Sequence, residues 1–245
     1  MLLRRRKTHL PDHIEIQTDT RAVRIRLRAN PRAQRYLLRL PADMSGPVLT
    51  VPHGGNLERA ERFARQHIGW LIERLQDRPD HVAFRPGDTI PLRGEDHIII
   101  PTGKLRGLVT VGRSEDGLPA LFVPGAEDHV PRKVTSWLKD QARADLSGRA
   151  GLHAKTIGRK IAAISIRDTK SRWGSCASNG RLSFSWRLVL APSDILDYVA
   201  AHEVAHLKEM NHSARFWRLC EQLAPQTPRA RLWLKENGLQ LHGYG

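Results

Sequence analysis

The residues with the clearest chemical meaning are His202, Glu203 and His206, which stand in the order H-E-x-x-H. The pattern around them predicts a helix, because Ile195, Leu196, Val199 and Ala200 recur at three- and four-residue steps behind Pro192-Ser193, with Ser193 as the expected N-cap. Residues four apart share one helix face, with Cβ atoms ~5–6 Å apart. Two imidazoles so arranged can meet one Zn2+ at ~2.0–2.1 Å. Glu203 is turned about 100° from His202 at 3.6 residues per turn. Its carboxylate then stands beside the metal, where it can take a proton from a water whose pKa the ion lowers toward ~7.

A catalytic zinc site usually has three protein ligands and one open position. His212 lies six residues beyond His206, the third-histidine spacing of the pattern H-E-x-x-H-x-x-G-x-x-H. A straight helix would carry position 212 away, so the chain must turn. Glu209 stands where that pattern has glycine, and Asn211 is the expected hinge in left-handed backbone. No methionine follows Met210, so the Met-turn of metzincins is absent. Glu209 and Glu221 are alternative third ligands.

Other side chains are read two ways. Arg172 can contact a substrate carboxylate, a phosphate or an oxyanion, or can be a structural arginine. Tyr198, four residues before His202, is either an oxyanion contact or core. Asp194, Asp197 and Glu209 are candidates to orient a ligand histidine. Trp173 and Trp186 read as packing residues. Cys176 reads as a buried small residue, with a thiolate near the metal as the alternative.

The elements that must hold these residues follow from patterning. Residues 20–40 read as two strands around Asn30-Pro31, with Val23, Ile25 and Leu27 alternating with Arg24, Arg26 and Arg28. A third strand covers 48–52. Asn56 caps a helix to about Gln76. Residues 77–91 look like a connection, and Asp116-Gly117 turns a hairpin between 108–111 and 118–123. A helix runs from Pro131 to about Leu146. Strands are expected at 161–167 and 182–190, with a hairpin-type turn at Asn179-Gly180 between them. Ser213 caps a further helix, and a last one starts at Thr227-Pro228 and is ended by Gly238.

KSRWGSC at 170–176, RLSFSWRLVLAP at 181–192, HEVAH and NHSARFW at 211–217 resemble the YgjP-like metallopeptidase family, related to the SprT-like and WLM zincins. The match is dense over 160–222 and less clear over 84–130. The resemblance implies a metal site with three His ligands, which maps onto His202, His206 and His212, and Glu203 as the base. The expected fold class is α+β. It has a zincin-like catalytic domain over 131–245 with helices on a small antiparallel sheet, a β-rich connecting region over 81–130, and a basic strand-and-helix module over 1–80. The implied function is zinc-dependent peptide-bond hydrolysis, with strand 182–190 offering an edge to an extended substrate. The alternatives are metal-dependent hydrolysis of nucleotide phosphoanhydrides, and a protease associated with DNA. A nucleic-acid-binding module with structural zinc is disfavoured, because such sites usually have four ligands and prefer cysteine.

Composition bounds the partners. The 245 residues hold 40 Lys+Arg against 25 Asp+Glu, a net charge of +15. Residues 1–40 carry 11 cations against 3 anions, and 151–245 carry 14 against 7, so the excess is not a tail. A peptide or protein substrate and association with nucleic acid through the basic surface are both compatible with that field. Two cysteines exclude a disulfide scaffold. The basic start MLLRRRK is followed by Pro11, Asp12, His13 and Glu15 rather than by an apolar stretch, so a signal peptide is not expected. No apolar run approaches the ~20 residues of a membrane span. The expected setting is cytoplasmic, with no membrane partner, and oligomeric state is not legible.

Overall fold

The structure is a computed structural model that describes residues 10–18, 21–41, 45–76, 81–169 and 172–245. The basic start and Lys170-Ser171 of KSRWGSC lie outside the described residues. The architecture is mixed α+β, and the chain divides into two compact units, Met1–Arg78 and Pro79–Gly245.

The first unit is a four-stranded sheet of β1 (His13–Gln17), β2 (Ala22–Ala29), β3 (Leu37–Arg39) and β4 (Val48–Val51), in the order β1-β2-β4-β3. Strand β2 runs parallel to β4 and β3 antiparallel to it, so the two strands expected within 20–40 flank a third instead of forming a hairpin. Val23, Ile25 and Leu27 point to the core while Arg24, Arg26 and Arg28 are exposed, as a period of two requires. Two helices close the buried side, α1 (Leu57–Gln66) and α2 (Ile68–Gln76), with Ala60, Ala64 and Leu71 against the sheet. Asn56 caps α1 by accepting from Arg59 N at 2.9 Å. The single helix expected over 56–76 is broken at His67. Its ring nitrogen Nδ1 meets the Phe63 carbonyl at 3.0 Å, while its own N–H goes to Ala64 O. The i→i−4 ladder is interrupted there.

The second unit contains two sheets. One has β5 (Thr89–Leu92), β6 (Glu95–Pro101), β7 (Thr110–Arg113) and β8 (Pro119–Val123) in the order β5-β6-β8-β7. The other has β9 (Ala163–Arg167), β10 (Gly174–Cys176) and β11 (Arg181–Ser185) in the order β10-β11-β9. It is mixed, not antiparallel: β11 is antiparallel to β10 and parallel to β9. The turn at Asn179-Gly180 therefore joins β10 to β11. The strand expected over 182–190 stops at Ser185, and Trp186–Leu190 winds as a 3-10 helix with all five residues buried. Arg187 breaks the alternation because it is inside. It pairs with Asp168, donates to the Tyr244 carbonyl at 3.0 Å and lies 4.5 Å from the Trp186 ring.

Four helices complete this unit: α3 (Val130–Thr156), α4 (Ser193–Ala205), α5 (Ala214–Leu223) and α6 (Thr227–Leu241). Helix α3 continues ten residues past the expected end. Its buried stripe runs Val130, Val134, Leu138, Ala142, Leu146, Ala150, Ala154, and Gly148 and Gly151 fall off that stripe. Helix α6 passes through Gly238 instead of ending there. A Cβ at Gly238 would stand 3.2 Å from the Trp173 ring, so the glycine serves close approach. One continuous hydrophobic core joins α3–α6 to both sheets. Among the described residues no helix is long and apolar enough to cross a membrane.

Candidate metal centre

Helix α4 is apolar nearly all round. Ile195, Leu196, Tyr198, Val199, Ala200, Ala201, Val204 and Ala205 are buried, which makes it a core helix and fixes its rotation. Pro192 is its N-cap and Ser193 its first residue, without a side-chain cap bond. The start is held by the β5–β6 turn. Arg93 and Gly94 both have positive φ there, and a Cβ on Gly94 would stand 3.0 Å from Pro192. Arg93 reaches on to Asp145 of α3 at 2.8 Å and Gln141 at 3.0 Å. The region whose role was open in the sequence thus seats the helix that carries His202.

His206 follows the last residue of α4 and keeps helical backbone, so it remains one turn above His202. The chain then turns. Glu209 N returns to Ala205 O, and Asn211 Oδ1 accepts from Ser213 N at 3.1 Å. Asn211 has no positive φ, so the turn is made by its side chain and not by the left-handed backbone expected of it. It carries His212 back to the other two rings, with Nε2 of His212 and Nε2 of His202 at 3.1 Å. One nitrogen from each of His202, His206 and His212 lies within 4.8 Å of the others. Three nitrogens on a tetrahedral zinc at ~2.0–2.1 Å would be about 3.3 Å apart. Glu209 and Glu221 are outside this group.

The rings stand on a floor that the sequence reading did not single out. Phe216 of α5, fully buried, lies 4.8, 4.4 and 4.7 Å from the centroids of His202, His206 and His212. Trp217 stacks on His212 at 5.6 Å, and the Arg231 guanidinium lies 4.2 Å from the Trp217 ring. The available signal was two aromatics four and five residues after His212.

The donor set fits a metal. Burial, with the neighbouring His206 and His212, pushes His202 down to about 4, and burial also pushes His206 down. Both are neutral bases near pH 7. His206 Nδ1 is 3.0 Å from the Glu209 carbonyl, so the tautomer that donates there leaves Nε2 as the lone pair. The Tyr198 hydroxyl is 3.4 Å from His202 Nδ1. Tyr198 is buried, and burial pushes its hydroxyl up to about 12. Its ring is part of the core, the second of its two readings, and its hydroxyl touches a histidine. Asp194 and Asp197 do not orient these histidines. Asp194 pairs with Arg229, and Asp197 accepts from His153 at 2.8 Å and Gln226 at 3.0 Å. The Glu209 contribution is its backbone carbonyl.

Glu203 is 5% exposed, and burial pushes its carboxyl up to about 7, against the pull of Arg172. It packs on β10 so closely that a Cβ on Gly174 would lie 2.6 Å from Glu203 Cγ and Oε1. Arg172 is exposed just before β10, with its carbonyl taking a bond from Thr169 Oγ1 at 2.7 Å. Burial and the Glu203 charge raise the Cys176 thiol. Trp173 stacks on His242 at 4.6 Å, and Trp186 is core.

The family model described as YgjP-like, metallopeptidase domain, matches residues 34–237. The chain belongs to the YgjP-like family. A relative from Escherichia coli (strain K12) named UTP pyrophosphatase is 40% identical over 151 residues, covering 56% of this chain and 87% of its own length. A solved structure of the metallopeptidase zymogen of Pyrococcus abyssi abylysin has a TM-score of 0.34 and 21% identity, over 37% of this chain and 93% of that one. Membership of the YgjP-like family, beside the histidine cluster, supports metal-dependent hydrolysis as the chemistry of this site.

Proposed function

We propose that this YgjP-like protein is a zinc-dependent peptidase with His202, His206 and His212 as ligands and Glu203 as general base. The observation that carries the reading is the convergence of three imidazoles beside one buried carboxyl. Imidazole nitrogens without cysteine suit zinc with an open position better than a structural site. A bound zinc ion supplies Lewis acidity, which polarises a carbonyl and acidifies a water. Glu203 titrates near neutrality, so it can accept the proton of the attacking water and deliver it to the leaving amine. Arg172 puts positive charge beside that carboxyl, where a developing oxyanion or a substrate carboxylate can meet it. Tyr198 acts through His202 as a positioning residue.

Because β11 is flanked on both sides, the open edges of this sheet are β10 and β9 and not the strand at 182–190, and β10 is the edge packed against Glu203. Trp173 O and Ala177 N bond toward β11, so the backbone groups of Gly174 and Cys176 face outward in the antiparallel alternation. A peptide added there would run past Glu203.

A second reading is hydrolysis of a nucleoside triphosphate phosphoanhydride at the same centre. It is favoured by the name of the Escherichia coli relative and by Arg172. The chain has no glycine-rich phosphate loop. The test is the zinc-loaded protein against a peptide panel and a nucleoside triphosphate panel, with Glu203→Gln and His212→Ala alongside. Peptide cleavage that falls ~10²–10⁴-fold in Glu203→Gln with zinc retained supports the first reading. Pyrophosphate release with no peptide cleavage, abolished by the same substitution, replaces it with the second. Tight zinc in His212→Ala equal to that of the unmodified protein removes His212 as a ligand.

A further inference from the structure

We propose that the face of the first unit's sheet opposite α1 and α2 docks the phosphate backbone of a nucleic-acid duplex, independently of the hydrolase reading. The helices α1 and α2 cover one side of this sheet, and the residues with alternate parity face away from them. On that side Arg26 and Arg28 stand two residues apart on β2, a separation of about 6.8 Å at ~3.4 Å per residue. In register Arg26 and Arg39 lie on either side of Val48, two strand spacings or about 9.6 Å apart. Two adjoining hollows of about 530 and 500 Å³ run along this face. Arg28, Arg39 and Thr50 line both, with Arg26 at one end and Gln34 and Arg35 at the other. Among the described residues neither hollow has a carboxylate in its lining, and none of the four arginines has an ion pair. The one acid that strand register puts on this face, Glu15, is opposite Arg24 toward the β1 side.

The chemistry of the patch selects the occupant. Guanidinium forks spaced by ~7–10 Å suit a row of phosphates better than one small anion. Gln34 and Thr50 add neutral donors of the kind that contact phosphate and sugar oxygens. Among the described residues neither hollow is lined by an aromatic ring, and Tyr36 is engaged with Phe63 at 5.7 Å and with Asn56. Single-strand binders stack bases on such rings, so their absence here favours a duplex. A membrane surface would call for exposed apolar side chains. The one large exposed apolar residue described in this unit, Trp70, is on α2.

The test is fluorescence anisotropy of the full chain with a labelled duplex DNA of ~20 base pairs, titrated between about 50 and 200 mM salt. Four neutralised phosphates predict a slope of log K against log salt of about −3.6, or a loss of about 150-fold across that range. The triple variant Arg26→Ser, Arg28→Ser, Arg39→Ser, checked for an unchanged thermal transition, should retain only about 3–4-fold salt dependence. Thr50→Glu, which adds a carboxylate between the arginines, should weaken binding without removing any arginine. Absence of binding at the lower salt, a triple variant that binds as the unmodified chain does, or tighter binding to a single strand of the same sequence, to polyglutamate or to anionic phospholipid vesicles would each overturn the proposal.

Discussion

Glu203 reaches its station only because Gly174 has no side chain. Gly174→Ala would put a Cβ 2.6 Å from Glu203 Cγ and Oε1, and the flexible carboxylate arm is the part that must give. The expected result is a fall in kcat of about 10²-fold or more with zinc content unchanged, read by turnover and metal analysis on one sample. Unchanged kcat would mean that the position of Glu203 does not matter to the reaction. The grouping of His202, His206 and His212 was legible because spacing on a helix and a short return loop are properties of sequence. The contacts around them were not. Glu209 serves through a carbonyl, which every residue type has, and Gly174 serves through an absent atom. Tyr198 was noticed for its spacing, but only packing decides that its hydroxyl meets His202 Nδ1.

Among the elements, α4 is tied to α3 and to the start of α6 through Asp197. Burial pushes its carboxyl up, but the hydrogen bonds from His153 and Gln226 and the nearby Arg149 outweigh that and hold it below the ordinary range. A carboxyl depressed in the folded state contributes stability above its unfolded pKa of ~3.9, and that contribution is lost as pH falls through the lower folded value. Asp197→Asn should therefore lower Tm at neutral pH, and the gap from the unmodified protein should narrow as pH is taken below ~4. Thermal melts at a series of pH values check this, and a gap that is constant with pH would assign the loss to shape alone. Helices with a regular buried stripe were legible in sequence, as in α3, although its end was not. The β5–β6 hairpin was missed because β5 has only four residues and the tip is Arg93-Gly94, with an arginine at positive φ. The stretch 186–190 alternated like a strand, but its residues are enclosed on all sides, so a period of two carried no information there.

At the scale of the molecule, the second unit contains its own core, all three histidines and each of the contacts that fix them. A fragment of residues 79–245 should fold with a single cooperative transition and bind zinc in the same ratio as the full chain, measured by calorimetry and metal analysis. Failure to bind would show that the first unit completes the site. The net charge was legible from composition, but its meaning was not. Only the pairing of β2 with β4, which no local pattern announces, gathers arginines from β2 and β3 on one face. The edge beside Glu203 has a consequence for the protein at high concentration. Long exposed strand edges template stacking between copies, and short ones are a common defence. The β10 edge has three residues and two outward-facing peptide units, which is too little ladder to nucleate a growing sheet. An edge this short can thus stay open without making the molecule a seed for its own precipitation.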